Sequence, residues 1–142
     1  MTRRRFEDAS AGDEIPAQWF PVDRSTLVRY AGASGDFNVI HWSERLATSV
    51  GLPNVIAHGM FTMAEVGRVA TAWVGDPTAV LEFGVRFTRP VVVPDDGGGV
   101  VIVVSGTVES LDPVRRVAVL NLVAKVGEEK VLMGSRVTVA LA

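Results

Sequence analysis

The feature that most constrains the fold is a change of hydrophobic period near the middle of the chain. Before Gly75-Asp76-Pro77, apolar residues recur at three- and four-residue spacing. In residues 80–87 the period is two: one set of alternate positions holds Leu81, Phe83, Val85 and Phe87, and the other holds Val80, Glu82, Gly84 and Arg86. The first pattern indicates amphipathic helices, and the second indicates strands with two different faces. A mixed, loop-rich first half followed by a strand-rich second half predicts an α+β fold.

Capping and turn residues divide the chain into three predicted helices and five extended segments. The first helix is predicted to be capped by Asp23 or Ser25 and to end in the region 32–35. A short helix is expected at 43–50 and a longer one at 59–74. The longer helix carries a stripe of small and apolar residues that implies close neighbours: Met60, Met63, Ala64, Gly67, Ala70, Thr71 and Val74. Extended segments are expected at 15–20, 80–87, 99–109, 116–126 and 130–141.

These elements predict one domain over residues 1–142, in which a curved antiparallel sheet wraps around the long helix. This is a hot-dog-like α+β arrangement. A chain of 142 residues needs no second domain, since folding into one domain buries roughly 70% of its surface. Periodicity alone leaves an open sandwich with peripheral helices as an alternative.

Composition removes several classes of function. The formal net charge is −2, and no basic footprint of the kind that nucleic acids or anionic membranes select is present. No apolar run reaches the ~18 residues of a membrane span, and no apolar run follows the basic N-terminus as it would in a secretory signal. The absence of cysteine excludes disulfides, thiolate metal sites and a cysteine nucleophile. We therefore expect a cytoplasmic protein with neither nucleic acid nor membrane as partner.

The candidate acid–base pair is Asp36 and His41, five residues apart in a loop where Gly35 allows a sharp turn. Adding or removing water needs a base that titrates near neutrality, and the reference pKa of histidine is about 6.5. It also needs a carboxylate that can orient the same water, while Asn38 can hold the loop. The alternative is that Asp36 and Asn38 only stabilise a turn through hydrogen bonds from the backbone to their side chains.

A second candidate group, His58 and Gly59, opens the long predicted helix. The first N–H groups of a helix lack intrahelical acceptors, and the helix dipole favours negative charge there. The Gly59 amide is therefore a candidate donor to an enolate-like thioester oxygen, with a plain helix start as the alternative. For His58 we favour a supporting role, in the core or bonded to a backbone carbonyl, over direct chemistry.

Other catalytic constellations are missing from the sequence. It contains no G-x-S-x-G elbow, no phosphate loop and no H-E-x-x-H, and residues 97–99 form a glycine turn. Two histidines and an aspartate match no familiar zinc spacing, so no metal is expected. We interpret Arg86 and Arg89, which flank Phe87, as charges on and at the end of a strand. Phosphate binding by one of these arginines is the less favoured interpretation.

Residues 30–41, YAGASGDFNVIH, resemble the hydratase motif of the MaoC-like, (R)-specific enoyl hydratase family. Residues 57–60, 73–77 and 85–88 are most similar to the B subunits of actinobacterial (3R)-hydroxyacyl-ACP dehydratases, and the likeness runs nearly end to end. The resemblance implies a hot-dog fold, a catalytic pair formed by Asp36 and His41, and the Gly59 amide as oxyanion donor. It also implies that no metal or redox cofactor takes part.

The resemblance further implies the reversible dehydration of (3R)-hydroxyacyl thioesters, carried by acyl carrier protein (ACP) or coenzyme A, to trans-2-enoyl thioesters. It implies a dimer, either a homodimer or a heterodimer with a related hot-dog subunit that shapes the acyl pocket. Two other functions stay open: an acyl thioesterase, since fold does not fix function, and a non-catalytic partner subunit.

The sequence departs from the family pattern at two places. Val39 stands where the family usually has proline, which removes a fixed φ but no reactive group. Some hydratases carry a serine one turn into the long helix, where this chain has Thr62, Met63 and Ala64. The family's hydroxyl contact is then either supplied by Thr62 or missing.

Overall fold

The computed structural model describes residues 2–142, and these residues form one five-stranded antiparallel sheet. The strand order is β1-β3-β4-β5-β2, with β1 and β2 at the two edges. The strands are β1 (Glu14–Val22), β2 (Val80–Phe87), β3 (Val100–Asp112), β4 (Val117–Val126) and β5 (Glu129–Ala140). The helices are α1 (Arg24–Ser34), α2 (Glu44–Ser49) and α3 (Gly59–Val74).

Helix α3 lies against the sheet and contacts all five strands. Its buried side chains pack into a hydrophobic core with the inward-facing residues of the sheet, including Ile102, Val104, Leu120, Leu122, Val137 and Val139. The prediction of a hot-dog-type α+β fold around a long central helix is confirmed, and the open-sandwich alternative is wrong. None of the helices described between residues 2 and 142 is long and apolar enough to cross a membrane.

The stripe predicted for α3 is only partly right, although the bounds of the helix are right: Ala70 and Val74 are buried, and Met63, Gly67 and Thr71 are half-buried. Its buried residues are Thr62, Glu65, Val66, Val69, Ala70 and Val74, whereas Met60 and Ala64 are exposed. Two features explain the difference. The buried face includes the carboxylate of Glu65, which is paired with Arg68 at 2.8 Å. Apolar residues also occur on both sides of the helix. The expected close neighbour exists at Gly67, where a Cβ would lie 3.3 Å from the Phe83 ring.

Capping chemistry sets the ends of α1. Asp23 is the N-cap: its carboxylate accepts hydrogen bonds from the Thr26 N–H and from the Ser25 hydroxyl, both within 2.8 Å. Ser25 is thus a partner of the cap and not the cap itself. The helix ends at Gly35, whose φ of 76° is in the left-handed region that glycine tolerates best. The site loop starts at this residue.

Residues 55–57 run antiparallel to residues 91–93 beside the sheet. The Ala57 N–H donates to the Val91 carbonyl at 2.8 Å, the Val93 N–H donates to the Val55 carbonyl at 2.9 Å, and Ile56 forms a bridge with Val92. This short pairing ties the segment that precedes α3 to the segment that follows β2. It places residues from distant parts of the chain around one cleft.

Candidate active site

The loop between α1 and α2 is held by the side chains of its own polar residues. The Asp36 carboxylate accepts a hydrogen bond from the Asn38 N–H at 3.1 Å, and the Asn38 side-chain oxygen accepts one from the Ile40 N–H at 3.2 Å. A short 3-10 turn, Val39–His41, follows. The turn-stabilising role considered for Asp36 and Asn38 is therefore present, and it fixes the position of His41. It leaves the second oxygen of the Asp36 carboxylate free for other contacts.

His41 is buried, and its ring is oriented by the backbone. Its Nδ1 lies 2.7 Å from the carbonyl oxygen of Ile56. A carbonyl only accepts hydrogen bonds, so Nδ1 carries the hydrogen and Nε2 of the neutral ring has a free lone pair. Nε2 lies 3.9 Å from Oδ2 of Asp36. This distance is too long for a direct hydrogen bond, and both groups can contact one water molecule.

The surroundings keep His41 neutral. Burial lowers the pKa of its imidazole below the ordinary value of 6.5, and the neighbouring His58 acts in the same direction. The hydrogen bond to the Ile56 carbonyl and the charge of Asp36 raise this pKa, but they do not outweigh burial. A neutral imidazole at pH 7 is the form that can accept a proton.

We expect NMR titration to place the midpoint of the His41 imidazole below pH 6.5. His41 is in its base form above this midpoint and loses that form as the pH falls through it. In any reaction that uses His41 as a base, the rate is therefore expected to decline with falling pH only below pH 6.5. In Asp36→Asn the midpoint is expected to fall further, because the carboxylate that raises the pKa is gone. The spectrum of His41→Gln assigns the resonance. A midpoint at or above 6.5, or an upward shift in Asp36→Asn, contradicts this account.

His58 lies against His41 and links the loop to α3. The two imidazole rings are stacked with their centroids 3.8 Å apart, and the Tyr30 ring packs 4.7 Å from the His58 ring. Nε2 of His58 donates to the backbone carbonyl of Asp36 at 3.0 Å, and Nδ1 is buried without a partner. His58 thus bonds a backbone carbonyl, one of the two positions considered for it, and it stands behind His41 rather than in the cleft wall.

Gly59 is the first residue of α3, and no acceptor among the described residues receives its N–H. A Cβ at this position would lie 3.0 Å from the Phe87 ring, so the absence of a side chain lets the ring approach the helix end. Thr62 follows one turn later and is buried. The geometry leaves a free amide and a hydroxyl on the side of α3 that faces Phe87.

A cleft of about 410 Å³ contains His41, Gly59 and Thr62 in its wall. The rest of its lining is mostly apolar and comes from three parts of the chain: Ile40, Ile56 and Ala57, then Phe87 and Val91 with Thr88, Arg89 and Pro90 between them, and finally Val131 and Leu132. Asp36 lies next to the cleft with a half-exposed side chain. An apolar cleft with a few convergent polar groups is the usual form of a small-molecule site.

A larger concavity, of about 880 Å³, lies on the other face of the sheet. It is lined by polar residues that include Glu82, Arg86, Asn121, Arg136 and Thr138. None of the predicted site residues lines it. Asp36, Asn38, His41, His58, Gly59 and Thr62 are instead brought together around the smaller cleft.

Three contributors to this site are not predicted by the sequence. They are the Ile56 carbonyl, which orients His41, the Tyr30 ring on His58, and the Phe87 ring on Gly59. Every residue has a carbonyl, so no residue type marks Ile56 for this role. The alternation in β2 predicts the face on which Phe87 lies, but its contact with Gly59 depends on tertiary packing.

Asp36, His41 and His58 each have a possible metal-ligand atom within 4.8 Å of the other two. The imidazole planes of the two histidines are inclined by only 24°. Their in-plane lone pairs therefore run nearly side by side and do not converge on one point as tetrahedral coordination requires. The arrangement of these three possible ligands does not favour metal binding. That the protein uses no metal remains a prediction.

Known proteins share both sequence and fold with this chain. Residues 7–127 match the family described as the MaoC like domain. The chain is 34% identical over 131 residues to a 3-hydroxybutyryl-CoA dehydratase of Methylorubrum extorquens, covering 91% of this chain and 79% of that protein. It is also 41% identical over 83 residues to 3-hydroxyacyl-thioester dehydratase X of Mycobacterium tuberculosis. That match covers 58% of this chain and only 29% of the relative.

Among solved structures, a MaoC-like dehydratase superposes with a TM-score of 0.95 at 38% identity, over 99% of this chain and 43% of that one. An (R)-hydratase from A. caviae superposes with a TM-score of 0.83 at 18% identity, over 96% of this chain and 99% of that one. The second likeness shows the fold alone. The matches cover less than half the length of two of these relatives.

Proposed function

Because the chain belongs to the MaoC-like domain family, we propose that it is a hydro-lyase. It interconverts (3R)-hydroxyacyl thioesters and trans-2-enoyl thioesters, the substrates being carried by coenzyme A or by ACP. The observation that carries this proposal is the arrangement of Asp36 and His41, with the unprotonated Nε2 of His41 3.9 Å from Oδ2 of Asp36. The names of the two dehydratase relatives support the same reaction class.

In the hydration direction, a water molecule bound between Asp36 and His41 attacks Cβ of the enoyl thioester. Nε2 of His41 accepts a proton from this water while Asp36 holds it by a hydrogen bond. The negative charge that develops on the thioester oxygen is stabilised by the Gly59 N–H and by the N-terminal end of α3. The pair then returns the proton to Cα, and dehydration follows the reverse path.

Three further residues have supporting roles in this proposal. Asn38 holds the turn that leads to His41, and its contact with the Ile40 N–H supports this role. His58 holds the Asp36 carbonyl and packs on the His41 ring. Thr62 supplies the hydroxyl that some hydratases provide by serine, since it lies in the cleft wall.

The proposal includes a dimer, formed with a second copy or with a related hot-dog subunit. Four large apolar side chains near the site are more than half exposed: Phe37, Trp42, Met60 and Phe87. Exposed apolar surface of this kind marks an interaction surface. Strand β2 is also an edge strand of the sheet, and an unpaired edge can bind a further strand. A partner that covers the four exposed side chains and the free edge of β2 would complete the acyl pocket.

The test is an absorbance assay of crotonyl-CoA and crotonyl-ACP hydration, with free thiol and oligomeric state measured on the same preparation. We expect loss of the enoyl absorbance without thiol release, from a dimer. Release of thiol instead would identify a thioesterase. No reaction by the chain alone, or by the chain mixed with a related subunit, would contradict the hydro-lyase proposal.

A further inference from the structure

Of the two arginines that flank Phe87, Arg86 lies within β2 and Arg89 lies just beyond its end, and they line different concavities. Arg86 lines the large polar concavity on the face that points away from α3. Arg89 lies beside the cleft that contains His41 and Gly59. The sequence does not distinguish the roles of these two arginines. In the structure, Arg89 lies next to the proposed active site and Arg86 does not.

The backbone that carries Arg89 is fixed relative to the site. Thr88 makes two hydrogen bonds to the beginning of β5: its N–H donates to the Val131 carbonyl at 3.0 Å and its hydroxyl donates to the Lys130 carbonyl at 2.6 Å. After Pro90, the chain pairs with residues 55–57 through the bridge between Ile56 and Val92. Arg89 and Gly59, the first residue of α3, both line the same cleft.

Arg89 also carries an uncompensated charge. Six of the twelve arginines form ion pairs with carboxylates, namely Arg3, Arg5, Arg24, Arg68, Arg116 and Arg136. Arg89 belongs to the other six, and among the described residues it is the arginine that lines the cleft. No carboxylate in residues 2–142 lies within ion-pair distance of Arg89, and its side chain is exposed. The fixed fork of a guanidinium is suited to bidentate binding of phosphate oxygens. An unpaired arginine at the rim of an apolar cleft is thus available to a ligand's anionic group.

We propose that Arg89 binds a phosphate of the substrate's carrier arm, which makes it a determinant of carrier-linked over simple thioesters. This inference rests on the proposed function, because it needs the thioester to lie near Gly59. The pantetheine arm of coenzyme A and of ACP then runs out of the cleft and brings its phosphate to the exposed rim. The chemistry shared by the two carriers is a phosphate ester.

The experiment compares Arg89→Gln with Arg86→Gln, which removes the same charge from the larger, polar concavity. Both are assayed on crotonyl-CoA and on the N-acetylcysteamine thioester of crotonate, which ends like the pantetheine arm but has no phosphate. We expect Arg89→Gln to raise KM for crotonyl-CoA about tenfold, with kcat unchanged. Neither variant changes the kinetics of the phosphate-free thioester, and Arg86→Gln changes neither substrate.

Two further substrates identify the phosphate. If the KM effect persists with crotonyl-phosphopantetheine, Arg89 binds the phosphate that coenzyme A and ACP share. If the KM effect disappears with the 3'-dephospho form of crotonyl-CoA, Arg89 binds the nucleotide's 3'-phosphate, and the proposal of a contact with the shared carrier arm is overturned. The proposal is overturned if the two variants behave alike on crotonyl-CoA, or if Arg89→Gln impairs the phosphate-free thioester equally.

Calorimetry with coenzyme A alone separates this inference from the proposed reaction. We expect Arg89→Gln to weaken binding about tenfold and Arg86→Gln to leave it unchanged. Wild-type protein that binds coenzyme A through Arg89 but hydrates no thioester would refute the reaction and retain the phosphate site. Equal binding by wild type and both variants would refute the phosphate site, whatever the reaction.

Discussion

Replacement of His41 by Gln is expected to lower kcat for enoyl hydration about 10³-fold or more, because the variant has no group that accepts a proton near neutral pH. Glutamine can still donate a hydrogen bond to the Ile56 carbonyl, so the fold is expected to survive. Asp36→Asn is expected to cause a loss of similar size. Its side-chain oxygen can still accept from the Asn38 N–H, which preserves the turn, but the negative charge that orients the water is gone. Steady-state kinetics on crotonyl-CoA measure both losses.

A matched control is Asp112→Asn. The Asp112 carboxylate also accepts hydrogen bonds from backbone N–H groups, those of Val114 and Arg115, in the turn between β3 and β4. We expect this variant to keep wild-type activity. Groups that act as a unit are not additive, so the double variant of Asp36 and His41 is expected to be little worse than either single one. Near-wild-type activity in either single variant would refute the assignment of the pair.

Replacement of Gly59 by Pro is expected to lower kcat about 10²-fold or more, because it removes the N–H that stabilises the thioester oxygen. The fold is expected to tolerate the change. Gly59 is the first residue of α3, a position that favours proline. The preceding residue, His58, has φ −60° and ψ 132°, which is the extended conformation required before proline.

The controls for this prediction are Gly59→Ala and Gly59→Val, which keep the N–H. Their side chains meet the Phe87 ring as the proline ring does, and that ring is half-exposed and can move. We expect these variants to lose activity only several-fold. Circular dichroism and thermal unfolding show whether each variant folds. A proline variant as active as the alanine variant would exclude the Gly59 amide as the oxyanion donor.

Local chemistry predicts most of the fold. The bounds of α3 follow from its period and from the glycines at its two ends, and β2 follows from its alternation. The ends of β1 could not be predicted because prolines at 16 and 21 are typical strand breakers. They are accommodated here because β1 is an edge strand that pairs only with β3 and has an irregular register near residue 16. The buried side of α3 is harder to predict, because it includes the Glu65 carboxylate and because apolar residues lie on both sides of the helix.

The candidate site is predictable to a different degree. Asp36 and His41 are close in sequence, and a short loop can bring them together. The proximity of His58 to the pair is harder to infer, because it requires the end of the 55–57 segment to reach back to the Asp36 carbonyl. The position of Arg89 could not be predicted, since alternation stops at the end of β2 and the next three residues are set by pairing with β5 and with residues 55–57.

The cleft draws its reactive groups and its floor from separate parts of the chain. Residues 36–62 supply the acid–base pair, the free amide and the hydroxyl, whereas Val131 and Leu132 come from β5, some 70 residues later. Substitutions in β5 can reshape the space for an acyl chain without moving the proton-transfer groups. Chain-length preference can therefore diverge among descendants of such a protein while its reaction stays the same, and an engineer can alter one without redesigning the other.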